Sequence, residues 1–229
     1  MVPCENLNFS DQFAFRPTGS TTAALITLFS SITNLLATNP YVIVIALDFS
    51  KAFDSVRHST LFEKLAKLQM PENIYNWMAH CTRLAREFSD YKNISASVIQ
   101  GSSVGPVSYV VNTADLHPLS SDNQFMKYAD DTYLIVPATN AASCVAELGN
   151  IQQWATVNNL KLNRAKSTQI IFVSPHSRKT RDDLPTTIDG ISRVESLKIL
   201  GVTVADNLSN HIAAAESICI TNVTCPWYA

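Results

Sequence analysis

Tyr41-Val42-Ile43-Val44-Ile45-Ala46-Leu47 is an unbroken apolar run, and it ends on Asp48-Phe49-Ser50-Lys51-Ala52-Phe53-Asp54. A β-branched run of strand length with no polar alternation reads as a strand buried on both faces. Asp48 then stands where that strand meets solvent, held rigidly by the core behind it. The longest apolar run, Val42 to Leu47, is far too short to span a bilayer, and we expect no membrane partner.

Upstream, residues 7–20 are polar and turn-rich around Arg16-Pro17-Thr18-Gly19. Leu25, Leu28, Phe29, Ile32 and Leu36 follow at helical spacing and predict a helix from Thr21 to Leu36. Downstream, Thr60 and Glu63 stand in capping-box spacing ahead of Leu61, Leu65 and Leu68, which predicts a helix opening at Thr60. A second helix is predicted from Pro71 through Ile74, Trp77, Met78, Cys81 and Leu84. Ser95 to Gln100 alternates like a strand, and Pro106 opens a helix reaching about Leu116. Phe125 to Val136 reads as two short strands about a tight turn at Ala129-Asp130-Asp131. A helix over Ala141–Asn158, strands at Gln169–Val173 and Leu197–Val204, and a turn at Asp189-Gly190 complete the pattern. Helices between non-adjacent strands, with hairpins mixed in, predict an α+β fold whose sheet is covered on one face.

Composition bounds the function. Apolar residues are 46% of the 229 and charged ones 16%, against ~25% charged in an average soluble domain, so the chain is core-rich and folded. A formal net charge of -2 does not advertise a nucleic-acid binder. The 5 cysteines are scattered without a C-x-x-C pair, which argues against a disulfide framework or a structural zinc site and for a reducing compartment. Met1-Val2-Pro3-Cys4-Glu5 has neither a basic nor an apolar signal region, so we expect an intracellular protein, nuclear or cytoplasmic, that is not secreted.

Asp48, Asp130 and Asp131 are the candidate chemical residues. If their two elements are neighbours, three carboxylates share a small space, which is unfavourable unless a cation neutralises them. Oxygen ligands without His or Cys favour magnesium or manganese over zinc. Two such ions suit activation of a 3'-hydroxyl and release of pyrophosphate. Taken singly, each aspartate reads as a strand-end or turn residue sooner than as a catalytic one.

The ordered set is more specific. Asp48 to Asp54 resembles the A block of reverse transcriptases, D-x-x-x-A-F-D, and Tyr128-Ala129-Asp130-Asp131 is the Y-A-D-D form of their block C. Gln100-Gly101-Ser102-Ser103-Val104-Gly105-Pro106 resembles block B, and Asn159 through Ser167 resembles block D. Ile199-Leu200-Gly201 is similar to block E, and Phe13-Ala14-Phe15-Arg16-Pro17 to the G-F-R-P segment ahead of the A block. The wording is closest to non-LTR (LINE-like) retrotransposons and covers roughly residues 9 to 205. The resemblance implies a polymerase palm, an antiparallel sheet of about four strands backed by helices. We expect residues 1–40 as a partial fingers segment, 41–205 as the palm and 206–229 as a divergent tail in place of a thumb.

The resemblance also implies roles. Asp48, Asp130 and Asp131 hold two Mg2+ (or Mn2+) ions, and Lys166 protonates the leaving pyrophosphate. Phe53 fills the space that a ribose 2'-hydroxyl needs, while Gln100 and Gly101 line the nucleotide and Arg16 lies near template or nucleotide. Leu200 and Gly201 contact the primer. The implied partners are an RNA template, a DNA primer and deoxynucleoside triphosphates; oligomeric state is not legible. Without the family, Phe53 reads as a core ring, Gln100 as a strand-end polar residue, and Lys166 and Arg16 as solvated side chains. Arg178, Lys179 and Arg181 form the one dense basic run, which reads as a solvated loop. The expected function is an RNA-directed DNA polymerase domain of a retrotransposon. The alternatives are an inactive palm remnant that only binds nucleic acid or a partner, and another palm enzyme such as an RNA-dependent RNA polymerase.

Overall fold

Side chains along Tyr41–Leu47 alternate between two separate cores, and this alternation organises the molecule. The computed structural model describes residues 7–68, 71–75, 96–98, 102, 104–175 and 184–207. In chain order the first elements are α1 (Thr21–Leu36), β1 (Tyr41–Leu47), β2 (Phe49–Ser50), α2 (Ala52–Ser55), α3 (His58–Leu65) and α4 (Gly105–Asn112). The hairpin β3 (Gln124–Tyr128) and β4 (Asp131–Pro137) follows, then a short 3-10 helix and α5 (Cys144–Val157). β5 (Lys161–Leu162), β6 (Thr168–Val173), β7 (Ser192–Arg193), β8 (Ser196–Ile199) and β9 (Val202–Ala205) come last.

The main sheet has the order β3-β4-β1-β6-β7. β1 lies antiparallel between β4 and β6, and only the short β6–β7 pair is parallel. Tyr41, Ile43, Ile45 and Leu47 enter the core that also takes in Leu61, Leu65, Tyr109, Val111, Leu148 and Ile151 from α3, α4 and α5. Val42 and Val44 enter a second core with Ala24, Leu25, Leu28 and Ile32 of α1. The expected cover on one face is therefore corrected to cover on both. A central strand apolar on every residue leaves a second face that water would otherwise wet, and α1 closes it. Ser20 starts α1 by accepting a 3.0 Å hydrogen bond from the Ala23 amide.

Two further expectations change. Leu197–Val204 is a β8–β9 hairpin, because Leu200 (φ 46°) and Gly201 (φ 90°) reverse the chain between the paired Ile199 and Val202. Positive φ at both turn positions matches the right-handed twist of the strands. The helix expected at Thr60 opens at His58 with Arg57 as its N-cap, and the Thr60 hydroxyl instead donates to the Arg57 carbonyl at 3.0 Å. Of the helix from Pro71, the stretch 72–75 is helical; Trp77, Met78, Cys81 and Leu84 lie outside the described residues. Among those residues no helix is long and apolar enough to cross a membrane.

A buried lysine joins the helices on the first face. Lys64 of α3 donates to the Asp115 carboxylate and to the Asn158 side chain, both at 2.7 Å, and to the Asn112 carbonyl. Its ammonium lies 5.6 Å from the centroid of Trp154, whose indole N–H donates to Asp115 at 2.8 Å. Removing one partner of such a pair leaves the other charge poorly solvated. We predict that Lys64→Met lowers the free energy of unfolding by about 3 kcal/mol in urea titrations. Adding Asp115→Asn should recover part of that loss.

Candidate active site

Register brings the aspartates together. Leu47 of β1 pairs with Thr132 of β4, and Tyr128 pairs with Asp131 across the β3–β4 hairpin. Asp48 and Asp131 thus emerge at the same end of neighbouring strands, with Asp130 in the turn between β3 and β4. The turn is tight: Ala129 adopts φ 56°, a left-handed conformation unusual for a residue with a Cβ.

Asp48 is gripped through its backbone. Its amide donates to the Ser167 hydroxyl at 3.1 Å, and its carbonyl accepts from the Asn163 amide at 2.8 Å. Ser167 in turn donates to the Asn163 carbonyl at 2.9 Å. The turn between β5 and β6 is therefore docked on the end of β1, and it carries the exposed Lys166. Beyond Asp48 the chain leaves the main sheet, with Phe49 and Ser50 pairing with Leu162 and Lys161.

Phe53 reaches the same region from α2. Its ring stacks on Tyr109 of α4, with centroids 4.7 Å apart and planes at 28°. Tyr109 is fully buried, and its hydroxyl has no hydrogen-bond partner among the described residues. Burial, then the charges of Asp130 and Asp131, push the Tyr109 phenol well above its ordinary range; Tyr133 is raised by burial and the same two charges. The turn is also held from behind, where the Gln12 side chain accepts from the amides of Ala14 and Ala129. Lys127, buried on β3, pairs with Asp11 at 2.9 Å and donates to the Thr113 and Leu116 carbonyls.

The carboxylates feel one another. Asp131 is raised above its ordinary value of 3.8, first by surrounding protein, then by Asp130 and by Asp48. Asp131 is only partly buried and remains exposed to solvent, so screening keeps the energetic consequence small. All the donors are oxygen, which fits a hard divalent cation. Among the described residues, no group of three or more His, Cys, Asp and Glu forms a ready-made cage. A divalent ion that binds through one or two carboxylates and keeps waters for the rest would not need such a cage.

Of the other expected residues, Arg16 donates to the Phe9 and Gln12 carbonyls and closes the N-terminal loop. Leu200 and Gly201 form the β8–β9 turn, with Leu200 packed against the α1-side core. Among the described residues no hydrogen bond joins either feature to the three aspartates. Gln100 and Gly101 lie outside the described residues, as do Arg178, Lys179 and Arg181. Sequence reasoning missed Gln12, Tyr109 and Lys127 as site-building residues, and it gave Ser167 no role. Only Lys127 left a signal, a charge on a strand between Met126 and Tyr128.

A mostly antiparallel sheet with helices against it, one strand ending in Asp48 and a hairpin carrying Asp130-Asp131, is a polymerase palm. The profile described as "Reverse transcriptase (RNA-dependent DNA polymerase)" matches residues 1–204, and the chain belongs to this family. It is 28% identical over 236 residues to the RNA-directed DNA polymerase from mobile element jockey of Drosophila funebris. That match covers 93% of this chain and 25% of the relative. The probable RNA-directed DNA polymerase from transposon BS of Drosophila melanogaster is also 28% identical, covering 91% of this chain and 25% of the relative. The chain thus spans about a quarter of the length of the curated relatives it matches. In fold it is similar to a telomerase from Candida tropicalis solved with a TWJ fragment of telomeric RNA (TM-score 0.56, 13% identity, 86% of this chain and 33% of that one). An apo telomerase from the same organism gives a TM-score of 0.54 at 10% identity, covering 89% of this chain and 37% of that one.

The shift on Asp131 has a testable sign. The folded chain holds that proton to higher pH than the unfolded chain, so ionisation opposes folding as pH rises above 3.8, and the cost is fully present at neutral pH. Without divalent metal, Asp131→Asn should raise Tm slightly at pH 7, and the gain should vanish below pH 3.8. Thermal melts across pH check this.

Proposed function

We propose that this chain is the catalytic palm of an RNA-directed DNA polymerase that extends a DNA primer on an RNA template. The observation that carries the reading is the β1–β4 register, which sets Asp48 beside the Asp130-Asp131 hairpin in a chain of the reverse transcriptase family. Binding of a nucleic-acid template follows from the family. The strand extended is a DNA primer, and the substrates are deoxynucleoside triphosphates.

Asp48 and Asp130 hold the divalent ions, with Asp131 close to the primer terminus. Bound there, two magnesium ions would ease loss of the 3'-hydroxyl proton and neutralise charge on the departing pyrophosphate. The primer 3'-hydroxyl loses its proton to solvent as its oxygen attacks the α-phosphorus of the incoming nucleotide, and the bond to the pyrophosphate oxygen breaks. Lys166 delivers a proton to that leaving group from the turn docked on Asp48. Phe53, backed by the Tyr109 ring, fills the space of a 2'-hydroxyl and selects deoxynucleotides. Gln100 and Gly101 line the nucleotide, Arg16 lies near template or nucleotide, and the Leu200-Gly201 turn contacts the primer.

Primer extension on an RNA template with magnesium and deoxynucleotides tests the proposal. Extension should fall by about a hundredfold or more in Asp130→Asn, as when a principal transition-state contact is lost. In Phe53→Val the preference for deoxynucleotides over ribonucleotides should weaken by roughly 10–100-fold. Extension that survives Asp130→Asn would overturn the assignment. A folded chain that binds template but extends nothing would be a palm without polymerase activity.

A further inference from the structure

Gln12 is 2% exposed and lies far in sequence from Asp130 and Asp131, yet it is bonded to the turn that carries them. Its side-chain oxygen accepts from the Ala129 amide at 3.1 Å and from the Ala14 amide at 2.9 Å. Two backbone donors converging on one atom fix that atom as the oxygen of the amide group. The flanking backbone completes a clamp. The Lys127 amide donates to the Asp11 carbonyl at 2.8 Å, and the Phe13 amide donates to the Lys127 carbonyl at 2.9 Å. Residues 11–13 thus lie as a parallel bridge along the outer edge of β3, one step from the turn.

The contact falls on the most constrained point of the hairpin. Ala129 is the residue with positive φ, and its amide lies outside the β3–β4 ladder, which closes at Tyr128 and Asp131, so it takes its partner elsewhere. Without the Gln12 oxygen that buried N–H loses its bond, and the left-handed conformation loses its support. The turn's other product is the direction in which Asp130 and Asp131 leave the sheet.

We propose that Gln12 is a positioning residue, which fixes the Ala129 turn and so presets the Asp130-Asp131 pair for a divalent cation. The proposal rests on the polymerase reading for its biological purpose, but its test is a binding measurement. Mn2+ is titrated into the full chain and followed by water-proton relaxation. Gln12→Met keeps the length and loses the acceptor; Gln12→Glu keeps the acceptor. One lost hydrogen bond corresponds to a change of about two- to tenfold. Gln12→Met should weaken Mn2+ binding by that factor, and Gln12→Glu should bind at least as tightly as the unaltered chain. A role confined to stability would lower the Tm of Gln12→Met with no change in Mn2+ affinity, and that result overturns the proposal, as does an unaltered chain that binds no Mn2+. Should Gln12→Met not fold, amide exchange in the unaltered chain decides: Ala129 protected at least tenfold over an unstructured amide supports the clamp, and an unprotected Ala129 overturns it. Failure of primer extension with Mn2+ binding and the Gln12 effect intact would overturn the polymerase reading alone.

Discussion

A strand whose every side chain is needed by a core can carry charge only where it ends, and β1 is such a strand. Tyr41, Ile43, Ile45 and Leu47 are committed to one core and Val42 and Val44 to the other, so slipping the pairing by one residue would exchange the two sets. That commitment fixes the registers to β4 and β6 together. Asp48 is then placed beside Asp131 by the same constraint that fills the cores, and repulsion between the carboxylates is too small to undo it.

The supports around this end bridge distant parts of the chain. Ser167 and Asn163 hold the Asp48 backbone from the block D turn, and Gln12 holds the hairpin turn from the N-terminal segment. Lys127 and Lys64 are buried cations, each with a carboxylate partner and backbone carbonyl acceptors. Burial pushes the Lys127 ammonium below its ordinary range, and Asp11 opposes that shift. Such groups cost solvation energy wherever they are placed. Here they tie β3 to the segment before α1, and α3 to α4 and α5.

Much of this was legible in the sequence, for physical reasons. β1, α1 and the hairpin around Ala129-Asp130-Asp131 are written in local apolar patterns, and α1 begins and ends where its spacing places it. The aspartates were legible as an ordered set of motifs, and the fold brings them to one sheet end. The rest depended on partners far away in the chain. Thr60 satisfies a capping pattern, yet the helix starts two residues earlier because the Leu61 amide bonds the Arg57 carbonyl. Leu197–Val204 reads as one strand because its apolar residues run on past the turn; Gly201 is the only local sign of it, and a leucine with positive φ gives none. Gln12 and Tyr109 look ordinary, and only the folded chain sets one against Ala129 and the other under Phe53.

The claim that one register gathers these carboxylates into a shared field is tested most directly by a double-mutant cycle on stability. Asp48→Asn, Asp131→Asn and the double variant would be unfolded in urea at neutral pH and low salt, without divalent metal. The account predicts non-additive changes: the double variant should gain less than the sum of the singles, by about 0.5 kcal/mol. Additive changes would mean that the two side chains do not sense each other, and would contradict it.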